Sequence, residues 1–328
     1  MITAEQYTEA LRLARGWSRA WIITHTRPDG DAIGALVGVR HVLKQFVEDV
    51  TAVVFDPVTP RYEFLVADDQ PTMWAESVKA QADGIDGVVV VDTCAASQLE
   101  PIVEVLGRLD LPVLVFDHHQ SQDLDATLKL IDVDASATSL MIAEWALAND
   151  AELDKAASVA LFAGIAADTG WFRFSNADWR TYVVAAQLIE RGVRPVEIYH
   201  RLYCSDRPQR LALLGRMLSG LEFHDGGRCA IGQITRDMIE ACGAAPGDME
   251  ELSTDIGRIG SVTCWAVLTE MPDGRVRINL RSKGVVDMAR VAETFGGGGH
   301  PRAAGARFQG TLQEAKTQVL SRILDHLH

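Results

Sequence analysis

The sequence predicts an α/β protein in two parts: an N-terminal, mostly parallel sheet flanked by helices, joined by a helical linker to a smaller α/β part. Two observations carry the first half of that prediction. Apolar runs of strand length at residues 20–24, 50–55, 87–91 and 113–116 are interleaved with helical patterning such as 32–46, and strands that alternate with helices build a parallel sheet. From residue 135 the patterning turns helical, over 136–147, 155–167, 179–190 and 195–202. A third observation carries the second half: strand-like runs return near 221–224, 228–234, 261–269 and 276–280, with Pro272-Asp273-Gly274 as a hairpin turn.

Taken in order, a helix is expected over about 4–15 before the first strand. Asp178 reads as the N-cap and Gly192 as the stop of the 179–190 helix. A helix over about 207–219 bridges to the second part, which continues with a helix at 287–294, a glycine run, a strand near 304–308 and a last helix. The expected division is residues 1–204, a linker at 205–220 and 221–328, and 328 residues that are 48% hydrophobic suffice for two cores.

No apolar run approaches the roughly 20 residues that span a bilayer. The first residues carry Glu5 and Glu9 and lack the pattern of a secretory signal, so a cytoplasmic protein is expected. Five scattered cysteines without paired spacing predict reduced, mostly buried thiols. A net charge of −14 argues against coating long duplex DNA. Within that acidic chain, residues 258–307 hold eight basic against four acidic side chains, which suggests a local anion site.

The chemistry concentrates where strands end. His25, Asp29 and Asp31 follow the first strand, and in an open parallel sheet ligands bind outside the carboxyl ends of strands. Alone, this segment reads as a helix-capping aspartate beside a Pro-Asp-Gly turn. Asp92 follows a second strand, however, and Asp117, His118 and His119 follow a third, while Asp168 closes an apolar helix. Converging carboxylates without a cation would repel one another, so metal binding becomes the favoured reading.

These segments, H-T-R-P-D-G-D-A at 25–32, V-V-V-D-T at 89–93, F-D-H-H at 116–119 and A-A-D-T-G-W-F-R-F at 166–174, resemble the ordered motifs of the DHH phosphoesterase family. The stretch F-G-G-G-G-H-P-R-A-A-G at 295–305 resembles the signature of the DHH-associated C-terminal domain. In size the chain is similar to the NrnA group, bifunctional oligoribonucleases and 3′-phosphoadenosine 5′-phosphate phosphatases. Ala35 departs from the serine common in relatives.

The resemblance implies two divalent ions, one held by His25, Asp29 and Asp92, the other by Asp31, Asp92, His118 and Asp168, with Asp92 bridging. Carboxylates with a few imidazoles and no thiolate suit manganese best, with magnesium and cobalt also compatible. His119 is implied as a non-ligand that polarises the phosphate or protonates the leaving group, with Asp117 orienting a histidine. Arg281, Ser282 and His300, with the cradle glycines Gly298 and Gly299, are implied to bind the nucleotide and its phosphate. Arg173 is a further candidate, since guanidinium planes stack on unpaired bases, whereas Phe172 reads as core. His41, His200, His224, His326 and His328 show no partner pattern.

The leading expectation is therefore hydrolysis of very short single-stranded RNA or DNA and of small 3′-phosphorylated nucleotides. No membrane or long duplex partner is expected, and a homodimer stays open. The alternative is a cyclic or linear dinucleotide phosphodiesterase. A non-enzymatic nucleotide sensor is disfavoured because every implied ligand is present.

Overall fold

The computed structural model describes residues 1–109, 111–249 and 252–327; His328 lies outside them. The chain divides into two compact units, Met1–Ser205 and Asp206–His328.

The first unit is built on six strands, β1 (Arg19–Thr24), β2 (Asp49–Val54), β3 (Thr72–Met73), β4 (Gly87–Val91), β5 (Val113–Asp117) and β6 (Leu128–Ile131). They lie in the order β3-β2-β1-β4-β5-β6, and every pairing is parallel. Along each central strand the side chains alternate between two cores. Ile22, Val89, Val91, Leu114 and Phe116 face one, and Trp21, Ile23, Val88, Val90, Val113 and Val115 face the other. With both faces covered, these strands read as unbroken apolar runs rather than as alternating ones.

Helices α1 (Ala4–Ala14), α2 (Gly30–Leu43), α3 (Glu76–Lys79), α4 (Glu100–Leu109), α5 (Thr138–Ala148), α6 (Lys155–Asp168), α7 (Trp179–Glu190) and α8 (Pro195–Tyr203) complete this unit. Asp178 caps α7 by accepting from the Thr181 N–H, and Gly192 follows its end at φ 96°, as the sequence suggested. The first large core is mainly α1, α2, α5 and α6 against the sheet. Helix α2 can approach α5 and α6 because Gly34 and Gly164 face Ser139: a Cβ on Gly34 would lie 2.6 Å from the Ala160 carbonyl oxygen. Ala35 is fully buried in α2.

The second unit begins with α9 (Pro208–Ser219), which packs on α10 (Arg236–Cys242) and on the sheet of this unit. Its strands are β7 (Glu222–His224), β8 (Cys229–Ile234), β9 (Cys264–Glu270), β10 (Arg275–Ser282), β11 (Gly298–His300) and β12 (Ala303–Gln309), in the order β11-β12-β10-β9-β8-β7. Only β8 and β9 pair in parallel. Helices α11 (Met288–Glu293) and α12 (Leu312–Leu327) cover one face. Of the cysteines, Cys94, Cys229 and Cys264 are buried, Cys242 is intermediate and Cys204 is exposed; all five are free thiols. No helix among the described residues is long and apolar enough to cross a membrane.

Candidate metal centre

Strand order 3-2-1-4-5-6 reverses direction between β1 and β4, and the crevice outside their carboxyl ends is where such sheets take ligands. The residues that leave β1 reach Asp29, which caps α2 by accepting N–H bonds from Asp31 (3.0 Å) and Ala32 (3.1 Å). The capping reading of Asp29 therefore holds, and a carboxylate keeps further lone pairs for a cation. Asp31, in the first turn of α2, is fully buried. Asp92 leaves β4 in the left-handed region at φ 63°, a conformation that short polar side chains tolerate and most others do not. Asp117 ends β5 and is followed by His118 and His119, while Asp168 is the last residue of α6.

The fold brings these residues into overlapping sets whose ligating atoms lie within 4.8 Å of one another: His25 with Asp29 and Asp92, and Asp31 with His118 and Asp168. A third set, Asp92 with His118 and His119, overlaps both. His118 Nε2 stands 3.3 Å from Asp168, 3.6 Å from Asp92 and 3.9 Å from Asp31, yet this buried nitrogen has no hydrogen-bond partner. Its other nitrogen, Nδ1, donates to the Ala135 carbonyl at 3.2 Å, and His25 Nδ1 likewise pairs with the Thr26 carbonyl at 2.9 Å. Both rings thus hold Nδ1–H against backbone and turn Nε2 toward carboxylates, which leaves Nε2 as the nitrogen a divalent cation would take.

Electrostatics agree. Burial and the charge of Asp31 push the Asp92 carboxyl up, and burial raises Asp168 in the same way. Burial alone would lower His25, but its contact with Asp92 and the charges of Asp92 and Asp29 raise it to about 9. Shifts in these directions favour protons held within the cluster, which limits repulsion, and a bound cation would take their place.

His119 differs from His118. Its Nδ1 pairs with Asp117 Oδ1 at 2.7 Å, and the backbone N–H of His119 donates to the same oxygen at 3.1 Å. Asp117, itself fully buried, therefore orients His119 in a carboxylate–imidazole pair.

Arg173 leaves a turn in which Gly170, Trp171 and Phe172 all have positive φ, and its Nε donates to the Gly170 carbonyl at 2.6 Å. Phe172 packs against the core beside Phe162 and Tyr182, whereas Phe174 is 49% exposed. In the second unit Arg281 and Ser282 end β10, and the Ser282 hydroxyl accepts N–H bonds from Gly284 (3.0 Å) and Val286 (3.2 Å). Gly298, Gly299 and His300 form the exposed edge strand β11 rather than an open loop, paired with β12. None of His41, His200, His224 and His326 joins a convergent ligand group among the described residues.

A sequence profile for the DHH family N-terminal domain matches residues 19–165, and one for the DHHA1 domain matches residues 237–328. A bifunctional oligoribonuclease and PAP phosphatase NrnA of Thermus thermophilus is 31% identical, over 98% of this chain and 96% of that one. The chain belongs to the DHH family. The NrnA of Bacillus subtilis is 26% identical over 91% of this chain and 92% of its own length. An exopolyphosphatase-related protein from Bacteroides fragilis shares the fold of this DHH protein, at a TM-score of 0.94 with 21% identity, over 100% of this chain and 98% of that one. The cyclic-di-AMP phosphodiesterase PdeA of Listeria monocytogenes is 27% identical over 93% of this chain, which spans only 47% of that protein.

Sequence reasoning missed the residues that hold this cluster from behind. Thr138, Asn176 and Arg180 carry hydrogen bonds to site residues or to the segment behind them, and no motif marked them.

Proposed function

We propose that this DHH protein is a metal-dependent phosphoesterase that degrades very short oligonucleotides to mononucleotides and removes the 3′-phosphate of 3′-phosphoadenosine 5′-phosphate. The observation that carries the reading is the buried, unpartnered Nε2 of His118 among the carboxylates of Asp31, Asp92 and Asp168. The two NrnA relatives, matched over most of both chains, supply the substrate class. The PdeA relative supports dinucleotide hydrolysis as the alternative, but over less than half of that protein's length.

In this reading His25, Asp29 and Asp92 hold one ion and Asp31, Asp92, His118 and Asp168 the other. The oxygen-rich donor set suits manganese, with magnesium or cobalt as substitutes. When bound, the ions supply Lewis acidity toward the phosphate and lower the pKa of water. Asp92 places one oxygen toward His25 (3.4 Å) and the other toward His118 (3.6 Å), so it serves both sets. His119, held by Asp117, moves a proton to the departing oxygen through its imidazole. Arg281, Ser282, Gly298, Gly299 and His300 bind the nucleotide and its phosphate, and Arg173 adds a planar cation for a base or phosphate. A cytoplasmic location belongs to the same reading, and cell fractionation tests it.

The experiment is a turnover panel of dinucleotide, 3′-phosphoadenosine 5′-phosphate and cyclic di-AMP under one manganese concentration, for the wild type and Asp92→Ala. Hydrolysis of the first two, abolished in the variant, supports the assignment. Preferential turnover of cyclic di-AMP would move the reading to the alternative, and full activity in Asp92→Ala would overturn the site.

A further inference from the structure

The segment that follows β6 and runs into the first residue of α5, residues 132–138, contains none of the proposed metal ligands, yet it reaches most of them. The Ala135 carbonyl takes His118 Nδ1 at 3.2 Å. The Thr138 N–H donates to Asp31 Oδ2 at 2.6 Å, and the next N–H, of Ser139, donates to Asp31 Oδ1 at 2.8 Å. The Thr138 hydroxyl donates to Asp92 Oδ1 at 2.9 Å. The Asn176 amide donates both to the Ser136 carbonyl (3.1 Å) and to the Asp168 carbonyl (3.2 Å).

The far side of the segment is anchored. Arg180, 4% exposed, donates to Asp132 at 2.9 Å and through two nitrogens to Glu144 at 3.0 and 2.8 Å. Thr181 donates to the Ser136 hydroxyl at 2.9 Å, and the Asp132 N–H donates to the Asp117 carbonyl at 3.1 Å. A fixed strap thus runs from a buried ion-pair network to the ligand carboxylates.

We propose that residues 132–138 act as a positioning strap for one of the two ion sites, with Thr138 as its principal positioning residue. The proposal rests on the metal reading above. It is asymmetric because Asp92 uses its two oxygens differently. Oδ1, which Thr138 grips, faces His118, while Oδ2 faces His25. Asp31, the other carboxylate the strap holds, belongs to the His118 set as well. Loss of the hydroxyl lets the Asp92 carboxylate pivot about Oδ2, which stays beside His25, and so displaces Oδ1 from the His118 side first. A hydrogen bond to a buried carboxylate of this kind corresponds to roughly tenfold to a hundredfold in binding.

The test is manganese titration of the full chain, read by electron paramagnetic resonance and calorimetry, for the wild type, Thr138→Val, Thr138→Ser and Asn176→Ala. Valine keeps the volume and both backbone N–H bonds and removes only the hydroxyl, while serine restores it. The expected result is two ions in the wild type, one of them weakened about tenfold or more in Thr138→Val, and recovery in Thr138→Ser. Asn176 is exposed, so Asn176→Ala tests the same connection without a buried change, and it too should weaken one ion only. Wild-type affinity for both ions in Thr138→Val and Asn176→Ala would overturn the strap while leaving the metal reading in place. Equal weakening of both ions would overturn the asymmetry and with it the proposal. Fewer than two ions in the wild type would overturn the metal reading itself, and the strap with it.

Discussion

Gly164 sits in the interior of α6, where alanine would ordinarily be the better residue by about 1 kcal/mol. Its surroundings reverse that preference. A Cβ at this position would collide with Ser139 Oγ, stand 2.8 Å from Ser139 Cβ and reach 3.1 Å from Asp31 Oδ1. Overpacking of this kind costs about 1–3 kcal/mol, so Gly164→Ala should be neutral to about 2 kcal/mol destabilised. Gly107 in α4 supplies the control, because a Cβ there meets nothing within 4 Å. Gly107→Ala should therefore stabilise by about 1 kcal/mol, so the same chemical change should raise stability in α4 and leave it unchanged or lower it in α6. Urea midpoints of the two variants measure this directly. Gly164→Ala should also weaken metal binding, since Ser139 donates its N–H to Asp31. If Gly164→Ala gained as much stability as Gly107→Ala, the close packing of α2, α5 and α6 and its link to Asp31 would both be refuted.

Three further outcomes are expected. His119→Ala should retain both ions and lose turnover by about a hundredfold or more, because a general acid contributes on that scale; release of an ion would show that His119 is itself a ligand. Manganese should raise the melting temperature and a chelator should lower it, since an ion at a hundredfold excess over its Kd adds about 2.7 kcal/mol; identical melting curves would argue against binding to the folded state. Asp132 should contribute to stability in acid. Burial opposes its ionisation, but the Arg180 guanidinium and the Met1 ammonium outweigh burial and hold its carboxyl below the usual range. Its stabilising contribution is then present above the unfolded value of about 4 and is lost as pH falls through the lower folded value. Asp132→Asn should accordingly be less stable at neutral pH and flatter across that acid window, and parallel urea–pH profiles would contradict this.

The fold and the acidic and histidine cluster were legible for the same reason. Strands buried on both faces are written as apolar runs such as residues 87–91, and the polar residue after each run marks the rim on which the cluster gathers. Strand β6 escaped notice because Leu-Lys-Leu-Ile is short and broken by Lys129, and α4 because Pro101 and Gly107 interrupt its helical signal. Thr138 and Ser139 fell inside the 136–147 helical pattern, and their bonds to Asp31 span 107 and 108 residues of sequence. Arg180 gave no sign of its partners, because a buried guanidinium and a solvated one look alike in a helical pattern. The glycine run at 296–299 suggested a phosphate cradle and carried no strand signal. Its second half pairs as β11, since Gly299, at φ 140°, lets the chain lie against Ala303 and Ala304.

The left-handed backbone at Asp92 has a genetic consequence. Of the residues that adopt that conformation readily, only asparagine, glycine and aspartate combine small size with tolerance for positive φ. Asparagine is one nucleotide change away from either aspartate codon, as is glycine, and neither carries the charge. In the proposed reading, chance mutation at this codon should therefore produce, in a single step, chains that fold but lack the carboxylate shared by the two ion sets. Loss of activity at position 92 should appear in cells as abundant, inert protein, whereas loss through the buried Arg180 ion pairs should appear as scarce protein.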